Sequence, residues 1–589
     1  MYLEKIDTVQ DLKKMTIEEL KELSEELRIT LLKKLSVTGG HIGPNLGVIE
    51  MTIAIHYVFN SPIDKIVFDV SHQSATHKIL TGRKIYFTNP DLFPTLSPYT
   101  NPAESKHDIF IVGHTSTSIS LASGLAKSRD INGDTENIIA VIGDGSLSGG
   151  EAYEGFNNVS EMNTNMIIIL NDNEMSVAEN HGGIYKNLQH LRETNGQTDC
   201  NIFKALGFDY IYVEDGHNIS KLIEVFNKVK GINRPIIIHV HTIKGKGYCY
   251  AEKDKEKWHA RYPFDINTGN LLTSNKQESI SELTGKYLLN KMKRDKSVIA
   301  ITSGTPDVMG FTPEYRSEAG NQFWDVGIAE EHAVAMASGI AANGGKPVYG
   351  VFSSFIQRTY DQLSQDLCIN NNSAVILVFG SGITGFSDKT HLGYFDIPLL
   401  SNIPNMVYLA PTTVDEYFAM LEWGINQNQS PVAIRVPGIL ESKSHTSNSE
   451  FGITQNINMY DMVVRGNDIA ILALGDFFKL GREVKERLLR EKSINATLIN
   501  PRYITGLDSK MLDELKAHHR IVITLEDGVL DGGFGEKISR FYSDSQMRVK
   551  NYGLEKEFTD RLSVYEILHR NKLTSEQITK DIIKLLEQL

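Results

Sequence analysis

Two short polar clusters, each closing an apolar run, hold the residue types best suited to a charged ligand. Residues 138–142 lead into Gly143-Asp144-Gly145, and residues 166–170 lead into Asn171-Asp172-Asn173. Short β-branched runs bounded by Gly and Asn read as buried strands. The segment between them has helical potential, which makes a βαβ crossover. Two neighbouring parallel strands then end side by side, with Asp144 and Asn173 at the carboxyl edge of the sheet, where open α/β sheets bind ligands. A dinucleotide loop fits poorly: Ser148 stands where the third glycine of G-x-G-x-x-G belongs, and an aspartate there repels a bare pyrophosphate. A divalent cation removes that repulsion. Mg²⁺ prefers octahedral oxygen and takes one or two protein oxygens plus substrate phosphates. Asp144, the Asn173 side chain and a nearby carbonyl such as that of Met175 would supply three. Each cluster alone is an ordinary turn; together they predict a metal-diphosphate site.

The elements that position these tips must come from a large α/β protein. A length of 589 residues implies about three to five domains. Hydrophobic content of 41% and charged content of 23% are those of an ordinary globular protein. A formal charge of −13 with no Lys/Arg-rich block speaks against a nucleic-acid partner. Cys200, Cys249 and Cys368 are scattered thiols without metal or disulfide spacing, as in a reducing compartment. No apolar run approaches a membrane span. No signal peptide is expected at the start of the chain: Thr16-Ile17-Glu18-Glu19 reads as a capping box ahead of an amphipathic helix with Leu20, Leu23 and Leu27 on one face. A cytoplasmic protein is expected.

Three units follow from the pattern: residues 1–270, 280–445 and 457–589, each with alternating strands and helices and mainly parallel sheets. In the first, glycine-rich or His-bearing loops recur ahead of helices, at Gly39-Gly40-His41 after the first helix, at Ser71-His72 after a strand over 66–70, and at Gly113-His114-Thr115. The helix after Gly113 has small side chains, and the free N–H groups of its amino end suit an anion. Residues 176–201 are polar and irregular and read as a loop or lid. Residues 251–280 read as a linker, with His259 beside Trp258 its one oddity. A polar stretch at 441–456 marks the last boundary, and Gly532, Gly533 and Gly535 form a tight structural loop. Glu330 and Glu331 share the first turn of a helix, where acids complement the helix dipole; position alone does not choose between them.

Longer motifs do. The GDG…NDN pair, DVSHQSATHKILTGR, ESKHDIFIVGHTSTSIS, and AEEHAV followed by FSSFIQRTYDQ resemble, in order and spacing over nearly the whole chain, the 1-deoxy-D-xylulose-5-phosphate synthase family of transketolase-type enzymes. The resemblance implies three transketolase-like α/β domains in a homodimer: a diphosphate- and Mg²⁺-binding domain, a pyrimidine-binding domain and a C-terminal domain. It implies thiamine diphosphate and Mg²⁺, with Asp144, Asn173 and Met175 as metal ligands. Glu330 would hydrogen-bond the pyrimidine ring nitrogen, and Phe355 would stack on the ring. His72, Gly113, His114, Thr115, Gly145, Ser146, Asn173 and Tyr248 match cofactor contacts, with Lys244 a nearby charge. His41, His259 and His391 match histidines around donor and acceptor, where a pKa near neutrality suits proton transfer. Arg358 and Arg435 match acceptor-binding arginines, whose guanidinium fits phosphate. The implied reaction joins the two-carbon unit of pyruvate to D-glyceraldehyde 3-phosphate with loss of CO₂.

Departures gather at the acceptor end. The family's tyrosine is Phe352 here, its Asp-Arg pair is Phe379-Gly380, its aspartate is Ser387 with Asp388 adjacent, and its second arginine is Gly438. The lid is shorter, and GFPKR reads Tyr99-Thr100-Asn101-Pro102-Ala103. A hydrogen bond to a charged group contributes about 1.5–3 kcal/mol, so one lost arginine weakens acceptor binding by roughly ten- to a hundredfold. Two alternatives stand beside the synthase: a thiamine-dependent paralogue using another aldehyde or sugar phosphate, and a non-catalytic binding or regulatory relative.

Overall fold

In the computed structural model, which describes residues 1–273, 278–385, 387–438, 440–441 and 459–588, the apolar runs at 138–142 and 166–170 form strands buried on both faces. The chain divides into two compact units, Met1–Gln277 with Val326–Ala329, and Glu278–Asp325 with Glu330–Leu589. The boundary expected at 441–456 falls, from residue 442 on, outside the described residues.

The first unit holds one sheet of β1 (Lys65–Phe68), β2 (Ile138–Gly143), β3 (Met166–Asp172), β4 (Asp209–Val213) and β5 (Ile236–His241), ordered β1-β2-β3-β5-β4. Every pairing is parallel. Helix α1 (Ile17–Thr38) opens on the expected capping box: Glu19 N–H donates to Thr16 Oγ1 (3.3 Å) and Thr16 N–H to Glu19 Oε2 (2.8 Å). Its Leu20, Leu23 and Leu27 are fully buried. Helices α2 (Ile49–Val58), α3 (Ser118–Asn132) and α4 (Gly150–Val159) follow, and α4 is the crossover from β2 to β3. The segment expected as an irregular lid instead contains helix α5 (Gly183–Glu193). Its apolar residues, Ile184, Leu188 and Leu191, recur at helical spacing, and the last two are fully buried. The expected linker is also corrected. Trp258 and Phe264 are buried within the first unit, and Gly40 and Arg261 exchange backbone hydrogen bonds of 2.8 and 2.9 Å.

The second unit carries two sheets. One, ordered β10-β11-β9-β8-β6-β7, is parallel throughout. It comprises β6 (Val298–Thr302), β7 (Phe323–Asp325), β8 (Lys346–Phe352), β9 (Val375–Ser381), β10 (Val407–Leu409) and β11 (Val432–Pro437). The other, ordered β12-β14-β13-β15-β16, is parallel except for β12 against β14. Its strands are β12 (Asp461–Val464), β13 (Asp468–Ala473), β14 (Thr497–Asn500), β15 (His519–Val529) and β16 (Arg548–Leu554). Helix α6 (Glu330–Ala342) follows β7 in sequence, and α7 (Phe534–Phe541) follows the glycine-rich loop. That loop is structural, as expected. The Glu526 carboxylate accepts from the N–H groups of Phe534 (2.8 Å) and Gly535 (2.7 Å) at the amino end of α7. A Cβ on Gly533 would lie 2.6 Å from Glu526 Oε2, so only glycine allows the approach. Among the described residues no helix is long and apolar enough to cross a membrane.

Candidate active site

The β2–β3 register pairs Gly143 with Asn171, so the polar clusters beyond them emerge side by side. Asp144 is buried, and its Oδ2 accepts from Met175 N–H (3.0 Å) and from Asn180 Nδ2 (2.8 Å). Burial, and then the neighbouring Asp172, push its carboxyl up to about 7. Asp172 on the adjacent tip behaves oppositely. Burial alone would raise it, but His239 (2.8 Å) and Arg192 bind its Oδ2 and hold it down at about 2. Next to it, Asn173 Oδ1 is buried without a hydrogen-bond partner. An orphaned amide oxygen beside a buried carboxylate is a costly arrangement for an empty interior and a suitable one for a cation. Among the described residues no group of three or more His, Cys, Asp or Glu is placed to hold a metal. The donors here are a carboxylate, an amide and carbonyls, which suit Mg²⁺.

Three histidines meet in the same unit. His41 and His72 lie 4.9 Å apart edge-on, His41 and His259 5.5 Å, and His72 stacks on His259 at 5.4 Å. Burial, then Lys244, His72 and His41, lower the His259 pKa well below its usual value, so its ring is neutral at neutral pH. Lys244 is itself buried, donates to the Ser176 carbonyl, and is lowered to about 7 chiefly by burial. Asn45 locks the histidine loops together. Its Nδ2 donates to the carbonyls of His41 (2.7 Å) and His72 (2.8 Å), while its Oδ1 accepts from Ala75 N–H (3.0 Å). Beside this clasp the backbone is strained, with positive φ at Val70 (58°), Ser71 (62°) and Ser116 (73°). A β-branched residue in that region is an outlier of the sort that gathers at functional sites.

Gly113, His114 and Thr115 lead into α3, whose amino end, expected to suit an anion, is partly taken by an acid of the chain itself. Ser116 N–H (2.8 Å) and Ser118 N–H (3.0 Å) already donate to the Asp69 carboxylate. Gly145 and Ser146 lie on the turn after β2, where the Ser146 carbonyl accepts from Ser116 Oγ at 2.8 Å. Tyr248 packs edge-on against Trp258 at 5.1 Å and donates its hydroxyl to the Ile266 carbonyl at 3.0 Å.

In the second unit Glu330 opens α6. It is buried, its Oε2 has no hydrogen-bond partner, and the nearest cation is Arg358 at 3.9 Å. Burial lifts the carboxyl to about 7, with Arg358 opposing. Phe355 lies edge-on to His391 at 5.5 Å. His391 Nδ1 is 3.0 Å from Asp388 Oδ1, so the neighbouring aspartate partners this histidine although position 387 is serine. Arg435 is placed differently from what the resemblance implies. It is buried, and its guanidinium binds Asp396 (Nε–Oδ2 2.7 Å) and Asp527. Tyr408 donates to the same Asp396, and Asp476, beside Asp527, is pushed well above its usual pKa by burial and by that neighbour.

Sequence reading missed Asn180, Tyr185 and Arg192, all within the presumed lid. Tyr185 donates its hydroxyl to the carbonyls of Asp144 and Gly145, each at 3.2 Å. The available signal was the i, i+4, i+7 spacing of Ile184, Leu188 and Leu191.

Residues 3–201 and 194–242 match the family model described as 1-deoxy-D-xylulose-5-phosphate synthase. Residues 276–440 match the transketolase pyrimidine-binding domain and 460–578 the transketolase C-terminal domain. A 1-deoxy-D-xylulose-5-phosphate synthase of Alkaliphilus oremlandii (strain OhILAs) is 39% identical over 627 residues, covering 100% of both chains. One of Clostridium acetobutylicum is 39% identical over 621 residues, covering 99% of each. The domain matches and full-length identity agree with the paired strand tips and the buried Glu330: the chain belongs to the 1-deoxy-D-xylulose-5-phosphate synthase family, a transketolase-like family for which thiamine diphosphate is the implied cofactor.

Proposed function

We propose that the protein decarboxylates pyruvate and transfers the two-carbon acyl unit to D-glyceraldehyde 3-phosphate, giving 1-deoxy-D-xylulose 5-phosphate and CO₂. The observation that carries this reading is Glu330, a buried carboxyl with an unpartnered oxygen and a pKa lifted to about 7. Such a group holds a proton near neutrality and shares it with a ring nitrogen brought against it. When bound, thiamine diphosphate supplies the electron sink for the carbon that loses CO₂.

The chain's own residues bind, orient and move protons. Asp144, Asn173 and the Met175 carbonyl hold Mg²⁺. His72, Gly113, His114, Thr115, Gly145, Ser146 and Tyr248 shape the cofactor site in the diphosphate domain (1–270), and Phe355 and Glu330 in the pyrimidine domain (280–445). The C-terminal domain (457–589) completes the subunit of a homodimer in the cytoplasm. His259, held neutral and with a buried Nδ1 that has no hydrogen-bond partner, offers an uncharged hydrogen-bonding ring; His41 beside it and His391 on Asp388 relay protons at donor and acceptor. Arg358 is the cation nearest Glu330 and serves the acceptor phosphate; Arg435, bound to Asp396 and Asp527, is structural.

A second reading, a paralogue with another aldehyde acceptor, is favoured by the commitment of Arg435 to two carboxylates and by Phe352, Gly380, Ser387 and Gly438. One assay decides. Protein with thiamine diphosphate, Mg²⁺ and pyruvate is followed for CO₂ and product mass, with and without glyceraldehyde 3-phosphate. CO₂ release that depends on this acceptor, with a deoxypentulose phosphate product, supports the synthase. Turnover only with a different aldehyde supports the paralogue, and no cofactor binding removes both.

A further inference from the structure

The segment just beyond β3 does more than cover the strand tips. Asn180 Nδ2 donates to Asp144 Oδ2, the oxygen that also takes the Met175 N–H. Its other amide atom, Oδ1, is buried without a hydrogen-bond partner, as are Asn173 Oδ1 and Ser176 Oγ. Helix α5 then returns to both tips: Tyr185 in its first turn reaches the Asp144 and Gly145 carbonyls, and Arg192 in its last turn reaches the Asp172 carboxylate.

We propose that Asn180 is a positioning residue for the cation. It fixes the Asp144 carboxylate through Oδ2 and so makes the turn before α5 part of the metal site. The torsion that turns a carboxylate about its own axis is broad and soft, so a carboxylate offered to a cation through one oxygen needs its other oxygen held. A neutral amide suits the task. A lysine or arginine in its place would hold the carboxylate as firmly but repel the incoming ion. Partners behind a metal ligand are worth about 10–100-fold in metal affinity.

The inference rests on the proposed Mg²⁺ site, and the test separates the two. Thiamine diphosphate binding is measured by calorimetry while Mg²⁺ is titrated, and amide deuterium exchange is followed over residues 183–193. In Asn180→Ala the Mg²⁺ concentration for half-saturation rises about 10–100-fold, cofactor occupancy recovers at high Mg²⁺, and exchange in α5 quickens. Asn180→Asp, which replaces the donor with a second acceptor, weakens Mg²⁺ binding as well. An unchanged Mg²⁺ requirement in Asn180→Ala overturns the proposal, and so does tighter binding in Asn180→Asp, which would put residue 180 on the ion itself. If Asp144→Ala keeps the wild-type Mg²⁺ dependence, the site assignment falls instead.

Discussion

Buried acids stand at strand ends in both units, and the two groups are handled in opposite ways. Around Arg435 the charges are paired: Asp396 and Asp527 flank the guanidinium, Tyr408 caps Asp396, and Asp476 is driven toward its protonated form, although Asp527 Oδ2 and Asp476 Oδ1 lack hydrogen-bond partners. The β2 tip differs, although Asp172 on the β3 tip is bound by His239 and Arg192. Asp144 has two neutral donors, and Asn173, Ser176 and Asn180 keep oxygens with no partner. Burying polar groups this way costs stability unless something else completes the set. What separates the two is charge: a guanidinium neutralises the acids around Arg435, whereas only neutral donors bind the Asp144 carboxylate, as suits a group that meets a cation.

Four variants break or sharpen that contrast. Arg435→Ala leaves two carboxylates buried together and should cost about 3–5 kcal/mol in denaturant unfolding; a loss well under 1 kcal/mol would remove the structural side of the contrast. Glu330→Gln probes the other side through pH. The folded-state pKa of Glu330, about 7, lies above its ordinary 4.5, so folding favours the protonated form. In cofactor-free protein this group therefore lowers stability as pH rises from about 4.5 to about 7. The Gln variant should lack that fall and gain on the order of 3 kcal/mol over the wild type above pH 7, while its turnover drops roughly 10²–10⁴-fold. Identical pH profiles would place Glu330 in a less buried setting. Asp144→Asn removes a buried charge and should raise the metal-free unfolding free energy by about 2 kcal/mol as it abolishes Mg²⁺-dependent cofactor binding; lower stability would make Asp144 architectural. Tyr185→Phe, losing a hydroxyl on two carbonyls, should cost about 1 kcal/mol, read as faster exchange confined to α5.

Much of this was legible in the residues. The runs at 138–142 and 166–170 are the cores of β2 and β3, since β-branched residues between Gly and Asn have few other uses. Helix α5 was hidden because Asn187, Gln189 and His190 dilute a three-residue apolar stripe. The fate of Arg435 could not be read locally. Its partners lie 39 and 92 residues away, and only the tertiary fold says that two acids will reach it before any substrate does. Asp69 closing the amino end of α3 is the same lesson, since Ser116 lies 47 positions from it. Motif matching found the residues; it could not say which were already spoken for.

Glu526 gives the point a practical edge. By lodging its buried carboxyl group against the first N–H groups of α7, the chain ties the end of β15 to the start of that helix. Glu526→Ala would leave those two buried N–H groups without an acceptor, so the loop depends on the acid it encloses.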